Sequence, residues 1–448
     1  MAPRPTVALL AIGDELTLGE KLDTNSKWLA DRLGLLGLRV IEHRTVPDDQ
    51  AVIAAAMVSL LDASEVLIVG GGLGPTADDL TRQSFSDALK RLTGEPQPLI
   101  EDEDALRAIE SFFRRTGRTM SDANRSQALR PSGAEGLPND HGTAPGMLAR
   151  VEHRGRSCVA VCLPGPPREM RPMFERDVAP VLQSLPGIAS SDLRVAQVFG
   201  LGESELASRI VDLMQRENNP AVGTTASSGM VTCRIRVEPG RSVVGPYDAD
   251  DPFDAAKEAT ARIAEVSEGY LVSDRHETLA GTLLREARER GVSISTAESC
   301  TGGLIGELLT AEPGSSTAYV GGWVAYSNEM KSRELGVAEL DLREHGAVSQ
   351  EVAMAMARGA RERTGADIGL SVTGVAGPDG GTSEKPVGTV WIGVARSDEL
   401  PSARRFRFMG DRASIRLWSA NTALFIGLLA VRDRLDVRLL REARDPSS

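Results

Sequence analysis

Two side chains in the last third of the chain have the types needed for acyl transfer. Ser299 lies in Ile294-Ser-Thr-Ala-Glu-Ser-Cys-Thr-Gly-Gly-Leu304, and Lys331 closes Val324-Ala-Tyr-Ser-Asn-Glu-Met-Lys331. A serine hydroxyl is a weak nucleophile until a base takes its proton, and a lysine does so only when neutral. Tyr326 is placed to relay or orient, and backbone N–H groups around Thr301, Gly302 and Gly303 are candidates to hold a developing oxyanion. Cys300 is the rival nucleophile, and it needs a positive neighbour to become a thiolate. A plainer reading stands beside this one: Ser299 and Thr301 only cap a helix.

The surrounding pattern supplies the positions. Val292 to Thr296 reads as a strand, and a helix restarts at about Thr301 with Leu304, Ile305, Leu308 and Leu309 on one face. A strand-to-helix turn presents free N–H groups and favours negative charge. Asn328 or Ser327 caps a short helix carrying Lys331, and Ser349 caps a helix from Glu351 to Thr364. A strand from Asp367 to Thr373 ends in a glycine-rich loop starting at Gly374. Arg412 and Arg416 are one turn apart on the final helix and share a face. They suit bidentate phosphate binding, or else form a solvated basic first turn.

A second cluster lies near the amino terminus. Alternating strands and helices predict a parallel sheet covered on both faces. The strands Thr6–Ile12 and 65–69 end in Gly13-Asp-Glu-Leu16 and Gly70-Gly-Gly-Leu-Gly-Pro-Thr-Ala-Asp-Asp79. Ligands of such sheets bind beyond the carboxyl ends of the strands. Asp14, Glu15, Asp78 and Asp79 bring four carboxylates to that edge, enough to hold a divalent cation bridging a phosphate, unless Asp78 and Asp79 serve only the next helix's N-terminus. Glu169 opens a helix from Pro167 to Leu185 and either faces the same site or complements that helix's dipole.

Composition limits the function classes. The 448 residues carry a net charge of −12 and 41% hydrophobic residues. An acidic chain of this length suits two to four domains and not a direct nucleic-acid coat. No apolar run is long enough for a membrane span, and no secretory leader is apparent. Cys158, Cys162, Cys233 and Cys300 show no zinc spacing, so a cytoplasmic protein without structural disulfides is expected. The region from Leu193 to Ser273 reads as a small α+β unit, with one helix running from Gly202 to about Arg216. It lacks a Gly-x-x-Gly clamp with basic neighbours, so a spacer or dimer element is expected there and not an RNA binder.

These motifs resemble the CinA family. Gly13-Asp-Glu-Leu16 with Asn25, Gly71-Gly-Leu-Gly-Pro-Thr-Ala-Asp-Asp-Leu-Thr81, Gly142-Thr-Ala-Pro-Gly146 and Leu163-Pro-Gly-Pro-Pro-Arg-Glu-Met170 are similar to its amino-terminal, molybdopterin-binding-like domain. Ala297-Glu-Ser-Cys-Thr-Gly-Gly303, Tyr326-Ser-Asn-Glu-Met-Lys331, Gly346-Ala-Val-Ser349, Thr373-Gly-Val-Ala-Gly-Pro-Asp-Gly-Gly381 and Lys385-Pro-Val-Gly-Thr-Val-Trp391 closely resemble its carboxy-terminal domain, which also occurs alone as the PncC type of nicotinamide mononucleotide deamidase. The resemblance implies three domains of α/β class: 1–171 molybdopterin-binding-like, 172–273 KH-like, and 274–448 deamidase.

The resemblance also implies chemistry. The carboxy-terminal domain is expected to hydrolyse nicotinamide mononucleotide to nicotinate mononucleotide and ammonia in pyridine nucleotide salvage, without a metal. Ser299 is the expected nucleophile and Lys331 the base. Thr301, Gly302, Gly303, Asn328, Ser349, Thr373, Gly374, Arg412 and Arg416 are expected at the substrate. The amino-terminal domain is associated with hydrolysis of ADP-ribose to AMP and ribose 5-phosphate. Asn25, Gly72, Gly74, Thr76, Thr143 and Glu169 are expected at its nucleotide. Asp14, Glu15, Asp78 and Asp79 are expected on magnesium, manganese or cobalt, with a monovalent cation as a further candidate. Small nucleotides and a second copy of the chain, in a homodimer, are the expected partners. The alternative is a non-enzymatic nucleotide-binding protein acting in DNA uptake or damage response.

Overall fold

Runs of Val, Ile, Leu and Ala broken by glycine-rich turns fold as strands, and the amphipathic stretches between them fold as helices. The computed structural model describes residues 4–188, 193–238, 240–397 and 399–443. The chain divides into two compact units, Met1–Asp192 and Leu193–Ser448.

The first unit is built on a six-stranded sheet in the order Arg39–Val46, Thr6–Ile12, Val66–Gly70, Arg156–Leu163, Gly146–His153, Glu135–Leu137. The first four strands are parallel, and Gly146–His153 and Arg156–Leu163 form an antiparallel hairpin. Alternate side chains of the central strand serve opposite faces. Ala8, Leu10 and Ile12 pack with Met57, Leu60 and Phe85, while Val7 and Leu9 pack with Leu29, Leu33 and Phe174. Burial on both faces is why these strands read as continuous apolar runs.

Pro167–Met173 begins a helical segment that passes through a π-type turn at Phe174–Val178 and continues as Ala179–Gln183. Pro180 lacks an N–H for the regular ladder, which fits a local widening there. Met170, Met173, Val178 and Leu182 are buried in the core of the first sheet. The boundary expected at 171/172 therefore falls inside an element that belongs to the first unit.

The second unit contains two sheets. One is four-stranded and antiparallel, in the order Ala221–Ser227, Met230–Arg236, Leu193–Phe199, Leu271–Ser273. Helices Glu203–Arg209 and Pro252–Val266 pack on it through Leu206, Ala256, Ala259 and Ile263. The helix expected to reach about Arg216 stops at Arg209. The chain turns there so that Ile210 and Leu213 both reach the core.

The other sheet is five-stranded, in the order Tyr319–Val324, Ile294–Glu298, Ile368–Gly374, Thr389–Arg396, Ser402–Arg407. Its first three strands are parallel and its last two antiparallel to their neighbours. Leu283 of helix Leu279–Glu289 packs with Leu424 and Leu428 of helix Arg412–Val431. Gln350–Thr364 buries Val352, Met356 and Ala360 beside Ala297. Among the described residues Arg412–Val431 is the single helix long and apolar enough to cross a membrane, and most of its apolar stretch is buried in this core. The two sheets share packing: Phe199 lies 5.2 Å from Phe425 between ring centroids, and Arg432 donates to the carbonyl of Val272 at 2.8 Å. The expected 273/274 boundary is not a gap in the core.

Candidate functional site

The nucleophile candidate sits where a strand stops. The N–H of Ser299 donates to Val372 O at 2.9 Å, carrying the ladder one residue past Ile294–Glu298. The chain then turns through Cys300–Gly303 into helix Leu304–Thr310, later than the start at Thr301 read from the sequence. Gly303 caps that helix at a φ of 94°, a conformation that suits glycine.

Glu298 organises this turn. Its carboxylate is 2% exposed and accepts the N–H groups of Gly303 and Ile305 at 3.0 Å and of Gly306 at 2.9 Å. Negative charge at a helix N-terminus is favourable. Gly302 N–H is taken by Ser299 O at 3.1 Å, and Arg416 grips Thr301 O at 2.7 and 3.2 Å. The donors expected on Gly302 and Gly303 are thus already used within the protein. Among the described residues the N–H groups of Cys300 and Thr301 have no backbone acceptor. Sequence reasoning gave Glu298 no role, although its place just before the serine was visible.

Lys331 comes from helix Asn328–Leu335, capped by the Ser327 hydroxyl, which accepts from Met330 N–H at 3.2 Å. The lysine is 1% exposed. Its Nζ lies 3.0 Å from Ser299 Oγ, 2.9 Å from Ala325 O and 3.2 Å from Tyr326 O. Burial lowers its pKa from the ordinary value, because the charged form loses its hydration. A neutral amine has two N–H donors and a lone pair. The two carbonyls match the donors, and the lone pair is left for the serine hydroxyl.

A cavity of about 210 Å³ opens beside this pair, with Ser299, Cys300, Tyr326, Asn328, Lys331, Thr373, Gly374 and Arg412 in its wall. Arg412 donates to Gly377 O at 2.6 Å and to the Tyr326 hydroxyl at 3.2 Å. The Tyr326 hydroxyl is therefore tied to the arginine, not to the serine or lysine. Burial pushes the Cys300 thiol up to about 12, so it stays protonated. Five residues expected at the substrate, Thr301, Gly302, Gly303, Ser349 and Arg416, are not in the cavity wall. Arg416 is spent on a backbone carbonyl, Thr301 is fully buried with no partner for its hydroxyl among the described residues, and Ser349 caps Gln350–Thr364 while its hydroxyl donates to Gly346 O. Thr373 lines the cavity with its hydroxyl donated to Ala347 O.

In the first unit a cleft of about 650 Å³ lies beyond the carboxyl ends of the parallel strands. Gly13, Glu15, Asn25, Asp48, Gly70–Gly74, Asp78, Asp79, Thr143 and Glu169 are among its lining residues. Gly71 has a φ of 104°, and a Cβ there would meet Ile12 O at 2.6 Å, so only glycine passes. Of the four carboxylates expected on a cation, Glu15, Asp78 and Asp79 line this cleft. Among the described residues no three His, Cys, Asp or Glu side chains form a metal-binding group. Asp79 turns under its own loop, accepting Gly74 N–H and Thr76 N–H at 2.8 Å each and the Thr76 hydroxyl. Asp14 N–H donates to Asp48 at 2.9 Å, and Asp14 accepts Asp48 N–H at 3.2 Å. Burial raises the Asp48 carboxyl, and Asp14, Asp78 and Glu15 raise it further, against the Asp14 hydrogen bond. Thr76 holds the loop and does not line the cleft. Glu169 accepts from Asn139 at 2.8 Å, and Asn25 donates to Gly165 O at 2.6 Å. Arg82, 3% exposed, supports the glycine loop by donating to the carbonyls of Leu73 and Gly74.

A doubly covered sheet with a glycine-lined cleft, a small antiparallel α+β region and an α/β domain with a buried serine–lysine pair define a multidomain α/β protein. Three family descriptions match in that order: "Probable molybdopterin binding domain" over 8–184, "Damage-inducible protein CinA KH domain" over 193–242, and "CinA C-terminal domain" over 276–429. The chain is 39% identical over 447 residues to a CinA-like protein of Gemmatimonas aurantiaca, covering 98% of this chain and 97% of the relative. It is 38% identical over 418 residues to a CinA-like protein of Dictyoglomus turgidum, covering 93% and 97%. A crystal structure of competence/damage inducible protein CihA from Agrobacterium tumefaciens is 41% identical, covers 34% of this chain and 93% of its own, and has a TM-score of 0.34. The chain belongs to the CinA family.

Proposed function

We propose that the carboxy-terminal cavity hydrolyses the carboxamide of nicotinamide mononucleotide to nicotinate mononucleotide and ammonia. The observation that carries this reading is the buried Lys331 Nζ, 3.0 Å from Ser299 Oγ and flanked by two carbonyls. Ser299 Oγ attacks the carboxamide carbon while Nζ takes the hydroxyl proton. Cys300 and Thr301 N–H stabilise the oxyanion. Lys331 returns the proton to the departing nitrogen, which leaves as ammonia, and an ester to Ser299 remains. Water attacks the ester, Lys331 takes its proton, and the acid leaves as the serine is reprotonated. Arg412 at the cavity wall is the group that receives the substrate phosphate. At about 210 Å³ the cavity suits one planar ring. Ammonia release from nicotinamide mononucleotide, with and without chelator, is the test. A folded protein that releases none overturns the reading and leaves a nucleotide-binding, non-enzymatic role.

The cleft of the first unit supports a second reading, hydrolysis of ADP-ribose to AMP and ribose 5-phosphate. Its support is a cleft of about 650 Å³ at the strand ends, where phosphates meet a glycine loop. The family resemblance associates that reaction with a divalent cation. Among the described residues no three carboxylates form a ready metal-binding group, and the reading routes no step through a metal. AMP release from ADP-ribose with magnesium, manganese or cobalt decides it. A cytoplasmic homodimer acting on small nucleotides is the working context of both readings.

A further inference from the structure

The second unit carries another concavity, unused by either reaction. It is a groove of about 340 Å³ lined by Val387, Arg407, Phe408, Met409, Ile415 and Arg441. Phe408 in its wall belongs to an aromatic ladder. Phe406 and Phe408 stack at 5.5 Å, Phe408 and Trp418 at 5.8 Å, and the guanidinium of Arg441 lies 4.6 Å from the Trp418 ring centroid. Stacking on an aromatic face fixes the plane of a guanidinium and leaves its edge for an acceptor. Arg441 Nη1 is buried and has no hydrogen-bond partner among the described residues. Buried donors are normally paired, and an orphan on a cation needs an explanation.

Arg407 brings a second guanidinium to the same groove, where it meets the Thr389 hydroxyl at 3.3 Å. Arg407 N–H donates to Arg441 O at 3.0 Å, so paired backbone holds the two side chains side by side. Nearby carboxylates are engaged otherwise: Glu442 pairs with Arg404 and accepts Leu439 N–H, and Asp411 accepts Ser414 N–H. The groove's lining contains no acidic residue. Its floor is apolar, with Met409 69% exposed beside Val387 and Ile415. Two guanidinium groups over an apolar floor match an anion that carries an apolar group. Arg441 lies beyond residue 429, where the match to the CinA carboxy-terminal domain ends.

We propose that this groove is a binding site for a phosphomonoester, with Arg407 and Arg441 on the phosphate and the organic part against Met409 and Ile415. It is separate from the Ser299 cavity, whose arginine faces Gly377 and Tyr326. The probe is phenyl phosphate, titrated calorimetrically into full-length protein carrying Arg412→Ala, which removes the candidate phosphate contact of the Ser299 cavity; any binding in the first-unit cleft is the part that survives both groove substitutions. One saturable site is expected, with a change in tryptophan fluorescence from the Trp418 stack. Adding Arg441→Ala or Arg407→Gln should weaken binding by about ten-fold or more, since charge-assisted bonds are lost. Thermal melts of both variants check folding, and Arg407→Gln serves if Arg441→Ala does not fold. Inorganic phosphate should bind more weakly than phenyl phosphate. Absence of binding to Arg412→Ala, equal binding after either groove substitution, or equal affinity for inorganic phosphate overturns the proposal. Because the background lacks Arg412, these outcomes do not depend on amide hydrolysis.

Discussion

Lys331 Nζ lies 3.0 Å from Ser299 Oγ, and the carbonyls of Ala325 and Tyr326 fill its remaining donor directions. Both carbonyls belong to the segment between the strand Tyr319–Val324 and the helix that carries the lysine. A short connection therefore builds the base and fixes its lone pair at once. A free lysine chain loses about 2 kcal/mol of rotamer entropy when held, and here the hold comes from local backbone.

The pH profile follows from that burial. The pKa of Lys331 is lowered from 10.5. Amide hydrolysis should therefore rise with pH up to the lowered value and level off above it, since only the neutral amine accepts a proton. The sign for stability is the same. Between the folded pKa and 10.5 the unfolded chain binds more protons, so stability climbs with pH through that window and is lost as pH falls through the folded value. Lys331→Met should flatten this dependence in urea titrations. Lys331→Ala should lower kcat by about 10²–10⁴-fold, and adding Ser299→Ala should lower it little further. A double variant much worse than either single one would show that the two do not act as a unit.

The two arginines of the last helix should separate kinetically. Arg412 faces the cavity, whereas Arg416 holds Thr301 O behind the serine. Arg412→Ala should raise KM for nicotinamide mononucleotide about ten-fold or more and change little with nicotinamide riboside, which lacks the phosphate. Arg416→Ala should lower kcat on both substrates, because the turn loosens. Steady-state kinetics on the pair of substrates checks this, and identical profiles for the two variants would count against it.

Cys300 should be chemically quiet. Its thiol is pushed up to about 12 and its side chain is 6% exposed. Thiolate is the reactive form, so iodoacetamide at neutral pH should label it slowly. Cys300→Ala should keep most activity and cost about 1 kcal/mol of stability from the small void. An inactive but folded Cys300→Ala beside an active Ser299→Ala would move the chemistry to the thiol.

Much of this architecture was legible because periodicity reports burial directly. Thr6–Ile12 reads as an apolar run because both its faces are covered, and the hairpin at His153–Arg156 is marked by its turn. The serine and lysine were legible as residue types, and their approach across 32 positions rested on the family resemblance. What stayed hidden were choices of backbone partner. Arg416 looked like a phosphate ligand because its acceptor is a carbonyl, which has no letter in the sequence. Asp79 looked like a metal ligand, although a tight loop turns its carboxylate onto Gly74 and Thr76. Helix Glu203–Arg209 ends early because Ile210 and Leu213 are needed in the core, a tertiary demand that overrides local propensity.

Glu298 carries the last prediction. Its buried carboxylate accepts three N–H groups from the segment that follows the nucleophile. Those bonds bind Gly303, Ile305 and Gly306, and among the described residues the N–H groups of Cys300 and Thr301 beside Ser299 have no backbone acceptor. Glu298→Gln keeps the size but loses one acceptor oxygen and the charge. It should cost about 1–3 kcal/mol of stability, the range for a lost charged hydrogen bond or an unsatisfied buried group. It should also lower kcat for amide hydrolysis with a smaller change in KM, because the donors it positions act on the oxyanion and not on the bound substrate. Glu298→Asp, which is shorter by one methylene, should recover part of the stability and little of the rate. Urea titration beside steady-state kinetics separates these effects. If kcat is unchanged in a destabilised Glu298→Gln, the carboxylate is a helix cap alone, and the turn at Ser299 holds its shape without it.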